Sequence, residues 1–162
     1  MRWGPEVARP GREDAAVSAI PPTTYQARAR TTAPGRAEAA VGSGTVAFDA
    51  SWGEDPGGLP GLAELLAAAF AACLLKNLAR TRELLGFSFE HAEVEVTARR
   101  QDHPPRFVEV AYDLRITTDE PDRRVELVHK NLRRFGTVVN TVAAACDVHG
   151  EVVAVRPSAR RA

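Results

Sequence analysis

Few residues in this chain offer chemistry. Cys73 and Cys146 are the only two thiols among 162 residues. A cysteine attacks as its thiolate, and an ordinary thiol with a pKa near about 8.5 is only slightly ionised at neutral pH, so a reactive one needs a cation or a helix N-terminus beside it. Cys73 lies in the middle of an Ala/Leu-rich stretch, away from any helix start. It therefore reads either as a thiolate served by a cation or as a small buried hydrophobe. Cys146 follows Ala143, Ala144 and Ala145 and reads as a packing residue. Glu64 opens the stretch that contains Cys73. It is either a site carboxylate or an acid placed to suit a helix N-terminal dipole. His129 is a candidate pocket acid or base, with a surface or interface histidine as the alternative.

Other clusters point away from several function classes. Arg123, Arg124, Arg133 and Arg134 flank one helical stretch with no interleaved aromatics, which reads as a solvated face and gives no expectation of nucleic-acid binding. His103-Pro104-Pro105 is turn chemistry. There is no Cys-x-x-Cys pair and no zinc-type ligand spacing, so neither a metal nor a cofactor is expected. Lys plus Arg equals Asp plus Glu at 21 each, leaving no net field to draw in nucleic acid or anionic lipid. The apolar run from Leu62 to Leu75 contains Glu64 and stops at Lys76, short of the roughly 18 residues that a bilayer requires. No secretory signal is visible, and a cytoplasmic location without membrane attachment is the default expectation.

These residues must be positioned by a mixture of strands and helices. Residues 1–22 are Pro-, Gly-, Arg- and Ala-rich without a period and read as a flexible leader. Residues 23–157 read as one domain, and residues 158–162 as a basic tail. Alternation over Thr24–Thr32 and Thr45–Ala50, with turn residues between, predicts an N-terminal hairpin. A long helix over Gly61–Leu85 carries Leu62, Leu65, Leu66, Phe70, Cys73, Leu74 and Leu78 at three- and four-residue spacing and ends at Gly86. Its first half is apolar all round, so it must be covered on several sides, as a helix-swapped dimer would do. Val94, Val96 and Ala98, then Val108 through Ile116, alternate as a long strand hairpin. Thr118 or Asp119 starts a second helix with the stripe Val125, Val128, Leu132 and Phe135. Thr137–Ala145 predicts a short helix, and Asp147–Val155 a final strand. The expected order is ββ-α-ββ-α-α-β.

Ala63-Glu64-Leu65-Leu66 followed by Ala67-Ala68-Ala69-Phe70-Ala71-Ala72-Cys73-Leu74 resembles the central helix of the OsmC/Ohr (osmotically induced and organic hydroperoxide resistance) family. The element order over about Thr24–Pro157 resembles it as well. The resemblance implies an α+β, OsmC-like fold: a strand-swapped homodimer whose long central helices pack between antiparallel sheets, with two sites at the subunit interface. It further implies a thiol peroxidase in which Cys73 attacks an organic hydroperoxide and Arg36, of Pro34-Gly35-Arg36, activates it. The family's glutamate falls at Ala63, one residue from Glu64, which points about 100° away around the helix. The family's resolving cysteine falls at Gly136, so an external thiol reductant is expected. A branch of the family matches His129, Lys130, Asn131, Gly136, Thr137, Asn140 and Thr141, and for that branch the resemblance implies no agreed reaction. The pocket candidates are therefore Glu64, His129, Gly136 and Asn140. The competing expectations are a non-catalytic dimeric module binding a small hydrophobic ligand in the interface pocket, and a purely structural dimer.

Overall fold

The computed structural model describes residues 23–33, 35–52 and 58–157. The expectations for a leader at 1–22 and a tail at 158–162 lie outside the described residues. Strands β1 (Ala27–Ala33), β2 (Arg36–Val41) and β3 (Gly44–Asp49) lead into helix α1 (Leu62–Leu85). Strands β4 (His91–Asp102) and β5 (Pro105–Thr117), helices α2 (Asp122–Phe135) and α3 (Thr137–Ala143), and strand β6 (Asp147–Val155) follow within the described residues.

Two three-stranded sheets result. The first is a β1-β2-β3 antiparallel meander rather than the expected hairpin. Its middle strand, Arg-Ala-Glu-Ala-Ala-Val, lacks the β-branched and aromatic residues that announce a strand. It is set by the turns at either end, where Gly35 and Gly42 take φ of 95° and 58°, a region costly for residues with a Cβ. The second sheet has the order β4-β5-β6. β4 and β5 form the expected long antiparallel hairpin, whereas β6 joins β5 in parallel. Parallel pairing requires a crossover, and α2 and α3 supply it.

The core lies between this second sheet and the helices. β5 is its centre, with Val110, Tyr112, Leu114 and Ile116 buried, facing Phe70, Leu74 and Leu78 of α1 and Val125, Val128 and Leu132 of α2. Phe135, expected in the α2 stripe, is instead 45% exposed, with Arg80 and Arg134 stacked over its ring at 5.3 and 5.2 Å.

The ends of α1, α2, β4 and β6 meet in a polar knot. Thr118, expected to cap α2, lies before it. Its hydroxyl donates to Ser88 O at 2.6 Å and accepts the Glu120 N–H at 3.0 Å, and Pro121 stands at the N-cap instead. Arg124 is not part of a solvated face. It bonds Leu85 O at 2.7 Å and pairs with Glu120 at 2.7 Å, so it satisfies a carbonyl that the end of α1 leaves open.

α1 departs most from a helix that its own chain could bury. Ala and Leu favour the helix intrinsically, and Gly86 ends it in the left-handed conformation with φ of 59°. Only Phe70, Leu74, Leu78 and Thr81, a single stripe, are buried. Leu62 and Leu84 are 67% and 63% exposed. Carried through to Leu85, α1 is long and apolar enough to cross a membrane by length and composition alone, a test that a core helix also passes. The front meander adds little cover, for among the described residues it makes no substantial contact with the helices or second sheet, and Ala37 is its one buried hydrophobic residue.

Gly150 of β6 lies opposite Tyr112 of β5. A Cβ at Gly150 would collide with Tyr112 O and fall 2.5 Å from Tyr112 Cγ, so the Tyr112 ring occupies the space that glycine leaves. Gly150→Ala should destabilise the fold by about 1–3 kcal/mol through overpacking, read as a lower urea midpoint. Glu151→Ala, on the exposed side of the same strand, should stay within about 0.5 kcal/mol of the parent.

Candidate functional site

Cys73 sits half-buried at the middle of α1 and packs against the edge of the core, and both cysteines are free. Its nearest polar partner is Asn77, one turn later. The Asn77 amide donates to Cys73 O at 2.8 Å and lies 3.6 Å from Cys73 Sγ. A shallow groove between α1 and α2, lined by Asn77, Arg80, Leu84, Asn131 and Phe135 among others, begins at this asparagine.

The remaining candidates are spread through the chain. Arg36 is the first residue of β2, with an exposed side chain beside a depression it shares with Arg30 and Glu38. Glu64 is exposed in the first turn of α1, where its carboxylate accepts the Gly61 N–H at 3.1 Å. That is the reciprocal half of a capping box, so within one chain Glu64 serves its own helix. Asn140 is exposed and donates to Arg134 O at 3.1 Å. Apart from the Asn140 N–H bond to Gly136 O at 2.8 Å, no hydrogen bond or ion pair joins any two of Arg36, Glu64, Cys73, His129, Gly136 and Asn140 among the described residues.

Gly136 is a built junction rather than a vacant cysteine position. Its N–H closes α2 on Leu132 O at 3.2 Å, and its carbonyl opens α3. A Cβ there would come within 2.9 Å of both Leu132 O and Val139 Cγ2. A side chain at this position would require the Leu132 carbonyl or the Val139 side chain to shift. The Cys146 Sγ lies 3.6 Å from Val142 O, and burial, aided by Asp147, pushes its thiol up from the ordinary value.

His129 has an inward role that sequence reasoning held open. Its Nε2 lies 2.8 Å from the Tyr112 hydroxyl, with the two rings edge to face at 88°. Tyr112 in turn packs against Phe70 of α1 at a 6.0 Å ring separation. The signal for this pairing was present in the alternation of β5, which puts Tyr112 on the core face where a hydroxyl must find a partner. Sequence reasoning also missed Glu109, Asp147 and His149, whose ligand atoms lie within 4.8 Å of one another on the exposed sheet face. His149 at 2.9 Å and Arg99 at 2.6 Å already bond Glu109 and hold its carboxyl below the usual range, so the group forms a surface ion-pair network.

Burial, aided by Arg133, lowers the His129 imidazole from its ordinary value of 6.5. Above that value both folded and unfolded chains hold it neutral and the full stability is present. Below it the unfolded chain takes up the proton first, so stability falls as pH drops through the folded-state value. The urea midpoint should therefore decline from pH 7 towards pH 5, and His129→Gln should flatten that decline.

The family model for OsmC-like proteins matches residues 57–150. No curated protein matches the chain in sequence. Among solved structures, an OsmC-like protein from Mycoplasma pneumoniae superposes with a TM-score of 0.75 at 15% identity, covering 82% of this chain and 98% of that one. The organic hydroperoxide resistance protein OsmC from Legionella pneumophila gives 0.65 at 21% identity, covering 83% and 98%. The organic hydroperoxide resistance protein OhrB of Bacillus subtilis gives 0.61 at 16%, covering 81% and 98%. These likenesses establish the fold, and the family model covers the helix with Cys73 through to the start of β6. The chain belongs to the OsmC-like protein family.

Proposed function

We propose that this protein is a homodimeric, cytoplasmic thiol peroxidase that reduces organic hydroperoxides at Cys73. The observation that carries the reading is the position of Cys73 on an apolar central helix in a family whose solved members include two named as organic hydroperoxide resistance proteins. The Cys73 thiolate attacks the outer peroxide oxygen, the O–O bond breaks, and the alkoxide leaves and takes a proton to become the alcohol. Cys73 is then a sulfenic acid. With glycine at position 136 and no disulfide between Cys73 and Cys146, an external thiol condenses with it, releasing water, and a second thiol frees Cys73 as the external disulfide forms.

Dimerisation is part of the same reading. Leu62, Leu75 and Leu84 of α1 are exposed in one chain, and burying a leucine contributes about 1.5–3 kcal/mol. A second copy, rather than lipid, covers them. The front meander, standing off its own core, then lies on the partner, and Arg36 of one protomer serves Cys73 of the other. There its guanidinium stabilises the thiolate and the charge that develops on the leaving oxygen.

Reduced protein with dithiothreitol should consume cumene hydroperoxide faster than hydrogen peroxide, and Cys73→Ser should abolish the difference from dithiol alone. Cys146→Ser should leave the rate within about twofold. Equal rates for the parent and Cys73→Ser would overturn the peroxidase reading and leave a binding module for a small hydrophobic ligand. Sedimentation should give the mass of two chains, and a one-chain mass would remove the dimer.

A further inference from the structure

We infer that Asn77 is the positioning residue for the Cys73 sulfur, donating one amide hydrogen to the backbone and the other to the thiolate. The inference rests on the reading of Cys73 as the reactive thiol. Residues four apart on a helix share a face, so Asn77 stands over Cys73 by construction. Its Nδ2 carries two hydrogens in a fixed fork. One is spent on Cys73 O at 2.8 Å, which locks the amide plane, and the same nitrogen lies 3.6 Å from Cys73 Sγ, within the longer reach of a hydrogen bond to sulfur. The carbonyl bond therefore aims the second hydrogen.

An amide in this place does what the helix dipole cannot do for a mid-helix cysteine. It offers a donor to the anionic form of the sulfur, and bonds to a charged partner are stronger than those to a neutral one. It also confines the sulfur, because an off-axis rotamer of Cys73 would forfeit the contact. Asn77 is half-buried and borders the groove between α1 and α2, so this donor is partly shielded from competing water. Asparagine is a poorer helix former than the alanines and leucines around it, and the sulfur contact gives this position a use that alanine could not fill.

The bland alternative is that Asn77 only back-bonds to the carbonyl four residues earlier, which serine does equally well. The two roles separate by substitution. In a Cys146→Ser background, the rate of iodoacetamide alkylation at Cys73 is followed by intact mass from pH 6 to 10 for the parent, Asn77→Ala and Asn77→Ser. The single hydroxyl hydrogen of serine can take the carbonyl but cannot also reach the sulfur. Both variants should alkylate about three- to tenfold more slowly at pH 7, the range expected for losing one hydrogen bond, with their rate profiles moved to higher pH. Rescue by serine, or profiles that superpose on the parent, would overturn the inference. Circular dichroism confirms the fold, and serine carries the test if the alanine variant does not fold. Peroxide consumption is measured in parallel. A persistent alkylation effect without Cys73-dependent turnover would leave the Asn77 contact standing and remove the peroxidase.

Discussion

Helix α1 is apolar around most of its circumference, yet its own chain covers one stripe, and the rest of the architecture follows from that imbalance. Phe70, Leu74 and Leu78 are sealed against β5 and α2, while 17% of the most apolar part of the helix is buried overall. A helix of this kind in water requires a second surface. The front meander is the chain's other unpartnered element, since β1–β3 make a sheet with almost no core beneath it. Two such deficits in one chain are complementary, because what one copy leaves bare the other can cover.

The second sheet and its helices hold α1 in a fixed place. Gly150 leaves room for the Tyr112 ring, Tyr112 supports Phe70 and binds His129, and the knot around Thr118, Glu120 and Arg124 ties the end of α1 to the starts of β4 and α2. Cys73 thus sits on a helix anchored along one side and at its C-terminal end. Asn77, one turn beyond Cys73 on the same helix, bonds its carbonyl at 2.8 Å.

Much of this was legible in the residues. The period-two alternation of β4 and β5, the apolar spacing of α1 and the glycine at its end each carry a local physical signal that tertiary context did not override. β2 was missed because alanines have no strand signature, and only the positive-φ glycines on either side make the meander. The start of α2 was misplaced because Thr118 has a capping residue's chemistry but spends its hydroxyl on Ser88, a partner 30 residues away. The candidate site was legible as a set of residues through resemblance, but not as a geometry. Arg36 and Cys73 lie on elements with no substantial contact among the described residues, and no local sequence pattern records their relative placement. The Cys73–Asn77 contact, by contrast, is local and could have been read from their four-residue spacing.

The central claim is that the reactive site is assembled across two copies around α1, and mixing two inactive variants tests it most directly. Arg36→Ala and Cys73→Ser proteins would be co-refolded and assayed for cumene hydroperoxide reduction, with heterodimer formation confirmed by native mass. If Arg36 of one protomer serves Cys73 of the other, each heterodimer holds one intact site and activity returns in the mixture. Confirmed heterodimers with no activity above either parent variant would contradict the account.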